Sequence, residues 1–467
     1  MRKTALLGLL VSFIFAVPAL GAPFVTPGES TGIELTVYNT NMALVKDTRP
    51  LVLRKGVNQV RFEDVAAAIN PTTVHFKSVS HPGACVIREQ NYQYDLVSRA
   101  KLLEKYLGKQ ITIKEEHEDG KETVTRGTLL SARDGMVVQA AGKLLLTTPD
   151  RVELPSLPEG LITRPTLDWM VESKRGGRHQ VEVSYITRAI QWGCDYVAVA
   201  SAGDDKLDIN GWVTINNTSG AAYPDAKLKL MAGDVRVSPM GTFRGDRGPV
   251  GPAGPAGPRG ERQFQEKAFF EYHMYSLNRK ATVADKETKQ IELLTASDIP
   301  VTKRYFFEGQ TQRRDSLGRS KAQVKLEFKN SKANHLGMPL PKGTVRVYKA
   351  DEDKSLQFIG EDGIDHTPKD EIMRLYVGDA FDIVCERKVM STRKIAARVT
   401  EQTVQLKVRN HKDDRIEITC VEHASGDWSI TEESHPHVKK DGMTFEFGIP
   451  VEADGETTVT YTVRTER

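Results

Sequence analysis

Leu207-Asp208-Ile209-Asn210-Gly211-Trp212-Val213-Thr214-Ile215 alternates apolar and polar side chains. Successive side chains of an extended chain leave on opposite sides, so this period of two marks a strand with one face on a core. The pattern repeats upstream in Val181–Tyr185 and Tyr196–Val199, and downstream in Lys227–Leu230, with the turn 216–220 between. Farther out, Leu35–Asn39, Met42–Val45, Leu51–Leu53 and Gln59–Phe62 read as strands punctuated by Gly, Asn and Asp. Toward the C-terminus the signal returns in Phe269–Tyr275, Gln290–Leu294, Lys325–Phe328, Thr344–Tyr348, Gln357–Ile359, Glu371–Val377 and Phe381–Cys385. It continues in Thr403–Val408, Ile416–Val421, Thr444–Phe447 and Thr457–Val463. The predicted fold is therefore mainly β, built from several antiparallel sandwich-like domains.

One segment breaks the pattern. Ser98 suits a helix N-cap, Leu102, Leu103, Tyr106 and Leu107 make an apolar stripe, and Gly108 suits a left-handed stop. Five short strands follow, at Gln110–Lys114, Thr123–Ala132, Met136–Ala140, Lys143–Thr148 and Arg151–Leu154. One helix and five strands predict a small SH3-like or Sm-like barrel. An RNA-binding role by analogy with Sm proteins would rest on fold alone. It also conflicts with the charge balance, 65 Lys and Arg against 62 Asp and Glu in 467 residues. Near-neutrality excludes a strongly basic nucleic-acid binder and a highly charged disordered tail.

The N-terminus reads as an export signal. Arg2 and Lys3 precede the apolar run Ala5–Val17, Pro18 breaks it, and small residues follow to Gly21. A membrane span needs about 20 apolar residues, and this run is shorter. No cysteine follows directly, which argues against a lipid anchor, and the expected location is periplasmic or secreted. Removing Arg2 and Lys3 takes the formal charge from +3 to +1. Export would place Cys85, Cys194, Cys385 and Cys420 in an oxidising compartment. Cys385 and Cys420, in neighbouring strand-like runs, are the candidate disulfide, with four buried thiols as the alternative. The expected segments are 1–21 (leader), 22–92 (β module), 93–157 (helix and barrel), 158–240 (sandwich), 241–264 (Gly/Pro loop), 265–335 (sandwich continued) and 336–467 (C-terminal sandwich).

Residues 245–262 place Gly at every third position, from Gly245 to Gly260, the pattern collagen needs because only glycine fits the triple-helix axis. The run is short, and its prolines follow glycine directly. It reads as a surface loop, with trimerisation as the alternative.

Catalytic motifs are absent: there is no G-x-S-x-G, H-E-x-x-H, P-loop, G-x-G-x-x-G or paired C-x-x-C. The densest polar cluster is Glu361, Asp362, Asp365 and His366, around Gly363. Its carboxylates and imidazole have the chemistry of a divalent-ion or acid–base site, or of a structural polar turn. His435 and His437 form a second pair of metal-ligand type. Of four tryptophans, Trp192 and Trp212 lie in apolar strand contexts and are expected in cores, while Trp428 is the exposed-aromatic candidate.

Several motifs in order carry a family resemblance. They include Leu35–Asn39, Met42–Asp47, Phe62–Val65, Asn70–Val74, Gln90–Leu96, Pro158–Leu161 and Arg164–Leu167. Gly211–Val213, Leu340–Tyr348, Phe358–Asp362, Ile364–Pro368 and Val408–Lys412 complete the series. Through them the chain resembles the bacterial envelope family known as domain of unknown function 4139, related to the mucoidy-inhibitor-like proteins. The resemblance implies an exported envelope protein with a variable low-complexity insertion at 236–266. It brings no agreed activity, catalytic residue or cofactor. The expectation is a non-catalytic binding or scaffolding protein whose partner is an envelope protein or a glycan. The alternative is a hydrolase or metal-binding protein using Glu361, Asp362, Asp365 and His366.

Overall fold

The alternation at Leu207–Ile215 becomes the strand Lys206–Asn217, with Leu207, Val213 and Ile215 fully buried. Each such side chain contributes roughly 1.5–3 kcal/mol on leaving water. The structure is a computed structural model describing residues 24–116, 122–133, 135–149, 151–158, 160–233, 235, 263–308, 319–351, 353 and 355–466. The expected leader (1–21) and collagen-like repeat (245–262) lie outside the described residues. Strands take 68% and helices 3%, so the chain is mainly β. It divides into two compact units, one of residues 1–33 and 45–186, the other of residues 34–44 and 187–467.

In the first unit, Thr166–Ser173 is the central strand between Gly56–Glu63 and Cys85–Gln93, antiparallel to both. Trp169 anchors the adjoining core, with the Phe62 ring at 5.4 Å and the Phe76 ring at 5.3 Å. The helix Arg99–Lys105 starts where Ser98 accepts the Lys101 N–H and stops just before Gly108, whose φ is 75°. Its Leu103 packs with Tyr106, Ile111, Ile113, Leu129, Met136 and Val138 against a five-stranded sheet. That sheet runs in the order Arg151–Glu153, Gln110–Glu116, Glu122–Ser131, Met136–Ala140, Lys143–Thr147.

The second unit holds two sandwich-like cores. In one, a five-stranded sheet runs Glu287–Pro300, Lys206–Asn217, Ile190–Ala200, Gly343–Ala350, Leu356–Ile364. It packs on the strands Tyr223–Ala232 and Tyr272–Val283, where Trp192 meets Tyr275 at 6.2 Å and its Nε1–H donates to the Met231 carbonyl. In the other, a nine-stranded sheet curls so that its two halves share one core. Tyr461 of Gly455–Glu466 lies 5.5 Å from Phe445 of Thr444–Val451 across that core.

Three pairings are parallel, where antiparallel sheets were expected: Gly32–Tyr38 with Tyr223–Ala232, Ile190–Ala200 with Gly343–Ala350, and Thr302–Glu308 with Ile416–His423. Parallel neighbours need long connections, so local periodicity identifies such strands without naming their partners. For the same reason sheets run across expected segment edges. Gly343–Ala350 and Leu356–Ile364 pair upstream of residue 336, while Thr302–Glu308 and Arg319–Lys329 join the C-terminal sheet. Phe269–Tyr275 is two strands, not one, joined by a tight turn with Phe270 at φ 56°. Among the described residues, no helix is long and apolar enough to cross a membrane.

Candidate functional site

Glu361 and Asp362 of the acidic cluster lie in a strand, and Asp365 and His366 follow its end. Leu356–Ile364 is a continuous strand antiparallel to Gly343–Ala350, so Glu361 and Asp362 leave on opposite faces. Glu361 reaches Arg346, with Oε2 3.5 Å from Nε. Asp362 faces away, accepting the Gly363 N–H at 2.9 Å and the Tyr376 N–H at 2.8 Å. Asp365 offers its backbone oxygen to the Thr367 hydroxyl at 2.8 Å. His366 accepts the Lys342 N–H at Nδ1, at 3.2 Å. Asn39 Nδ2 lies 3.1 Å from Nε2, and Asn39 Oδ1 is buried without a hydrogen-bond partner among the described residues. The four residues hold strand and turn geometry instead of facing one point.

The other candidates are also absorbed by structure. Trp428 lies in the strand Asp427–Glu433 and is 8% exposed, a correction to the exposed position expected of it. Its ring packs 4.9 Å from Phe445 and its Nε1–H donates to the Gly442 carbonyl at 2.8 Å. Trp428 and Ile430 face the core while Ser429 between them faces out. His437 binds Glu433 through Nδ1 at 2.6 Å, and His435 meets Ser434 at 3.1 Å. Cys385 and Cys420 are free thiols buried in the core of the nine-stranded sheet. Burial pushes Cys385 up to about 12 and Cys420 well above the ordinary thiol range. Among the described residues, no group of three or more His, Cys, Asp or Glu is placed to hold a metal ion.

The outer face of the five-stranded sheet has a different character. Trp212 is half-buried there, opposite the core side of its strand, where the sequence reading had placed it inside. Strand register sets Glu292, Trp212, Asp195, Thr344 and Gly363 in one row. The next row holds Thr295, Asn210, Val197, Arg346 and Glu361. Side chains on one face of neighbouring strands lie close enough to interact across such rows. Arg346 donates to Asp195 Oδ1 at 3.2 Å, and the Thr214 hydroxyl donates to Asp195 Oδ2 at 2.8 Å. Asn210 Nδ2 donates to Thr295 Oγ1 at 3.2 Å, and Thr295 donates to Glu292. Asn210 Oδ1 is buried without a hydrogen-bond partner among the described residues, at a cost of roughly 1–3 kcal/mol. On the strand beside Trp212 the surface is low at Gly193, where an added Cβ would meet nothing within 4 Å. The face thus offers a flat aromatic ring flanked by fixed donors and acceptors.

At one end of this sheet Asp204 accepts from both Lys303 and Lys349. Burial opposes its charge, yet the hydrogen bonds to the two lysines leave its carboxyl below the ordinary value. Sequence reading named Glu361 on this face and missed Trp212, Asp195, Asn210 and Arg346. The signal was available, since Trp212 falls in the register of Asp208, Asn210 and Thr214. No family model matches the chain, and no curated protein matches it.

Proposed function

We propose that the chain is an exported, non-catalytic binding protein of the bacterial cell envelope, and that the sheet face around Trp212 takes a glycan. The observation that carries this reading is the half-buried indole beside the open position of Gly193 and the fixed polar groups of Asp195, Arg346 and Asn210. A sugar ring presents an apolar face to stack on indole and hydroxyls to pair with carboxylate, guanidinium and amide. The unpartnered Asn210 oxygen suits a ligand hydroxyl. Export rests on Arg2, Lys3 and the apolar run after them, and the envelope on the family resemblance. The helix Arg99–Lys105 with its five-stranded sheet is proposed as a small SH3-like barrel, supported by the single core they share.

Isothermal titration of the mature chain against envelope polysaccharides and peptidoglycan fragments tests the reading. Binding that weakens about tenfold or more in Trp212→Ala, as when an aromatic anchor is truncated, supports it. Equal binding by both proteins, or none by either, defeats it.

A further inference from the structure

The first unit contains a cysteine–histidine arrangement that its envelope role does not use. Cys85 opens the strand Cys85–Gln93 directly opposite Ser173, the last residue of Thr166–Ser173. His179, near the start of Gly177–Arg188, is fully buried beside them. Its Nε2 lies 3.1 Å from the Arg175 carbonyl, which only accepts, so the ring proton sits on Nε2 and Nδ1 is the open base. Nδ1 faces two donors: the Ser78 hydroxyl at 3.0 Å and the Cys85 Sγ at 3.7 Å. Ser173 spends its proton on the Arg175 carbonyl at 2.7 Å, so its oxygen, 3.6 Å from Sγ, is a second acceptor that competes with Nδ1 for the single thiol proton. Nucleophile, base and orienting carbonyl thus stand in the order that activates a thiol.

We infer that Cys85 and His179 form a thiol–imidazole pair that makes Cys85 a site of thiol–disulfide exchange with a small disulfide. Cys85 is the one cysteine that is not buried; Cys194, Cys385 and Cys420 lie in cores. The thiol proton moves to His179 Nδ1, and the thiolate attacks one sulfur of the disulfide. A bond forms from Sγ to that sulfur, the original S–S bond breaks, and the departing thiolate takes the proton back from the imidazolium. One small thiol is released for each mixed disulfide on Cys85, and no other oxidant enters. The His81 ring stands 4.9 Å from His179, and burial, followed by the Arg175 charge, lowers its pKa from the ordinary histidine value. Ser78 restrains the pair, because its hydroxyl competes for the same lone pair.

The test is the rate at which an aromatic disulfide reacts with the folded full-length chain, with mass spectrometry locating the adduct. One thiol per chain should react quickly, at Cys85. His179→Gln should slow it about tenfold at neutral pH, because the base that takes the thiol proton is gone. Ser78→Ala, which frees Nδ1, should speed it, and this variant decides the matter if His179→Gln fails to fold. A rate unchanged or lowered in Ser78→Ala, or an adduct mainly on another cysteine, overturns the inference.

Discussion

Trp212 and Trp428 sit in different sheets of the second unit, in opposite ways. Trp428 sits among polar neighbours in sequence and is buried against Phe445, while Trp212 sits among apolar ones and stands half-buried on an outer face. The difference teaches that register outranks neighbourhood. A strand sends alternate residues to opposite faces, so a tryptophan follows the residues two away, not those beside it. Ile430 takes Trp428 inward, and Asn210 and Thr214 keep Trp212 on their own face.

Mutating both tryptophans gives the sharpest contrast. Trp428→Ala should lower unfolding free energy by about 3–5 kcal/mol, the range for deleting a large buried aromatic. The same change at Trp212 should cost about 1 kcal/mol or less, because no core cavity opens. Urea unfolding measures both, and equal losses would erase the distinction.

Charge pairs repeat the contrast. Glu422 is fully buried, bound by Arg387 at 3.0 Å and by the Tyr461 hydroxyl at 2.8 Å. Arg387→Ala strands that carboxylate and should cost about 3–5 kcal/mol. On the outer face, Arg346→Ala should change stability by about 1 kcal/mol or less, since water reaches its partners. Thermal unfolding of the two variants checks the ordering.

A smaller effect is the acid response of Asp204. Its folded carboxyl titrates below the ordinary value of 3.8, so its stabilisation is complete above that pH and fades as pH falls through the folded value. Melting temperatures of the native chain and Asp204→Asn should therefore converge as pH drops below about 3.8. Curves that stay parallel would show that the two lysines give the carboxylate no advantage.

Local signals carried much of the architecture. Met136–Ala140 was read at its observed bounds, and Ser98 and Gly108 framed the helix, because caps and alternation act within a few residues. Glu371–Val377 and Phe381–Cys385, read as two strands, are parts of the single strand Ile372–Lys394. The strand passes through the intervening Gly378 with φ at 140°. Glycine misled at 360–366. Gly360 is there for close approach, since a Cβ would come within 2.2 Å of the Val377 carbonyl oxygen, and Gly363 simply lies in the strand. Of the candidate site, Glu361 was legible as a charged residue, but its partner Arg346 was not. That pairing depends on the register of two consecutive strands, which an irregularity between Val347 and Tyr348 shifts.

The parallel pairing of Gly32–Tyr38 with Tyr223–Ala232 has a consequence for the order of events in folding. Residues 34–44 belong to a unit whose remainder begins only at residue 187, after the entire first unit has been spelled out. A chain emerging from its N-terminus can set Gly32–Tyr38 beside Met42–Leu53 at once, but must keep its other edge unclaimed until that remainder arrives. Such late closure favours slow assembly and a need for protection from other chains in the interval.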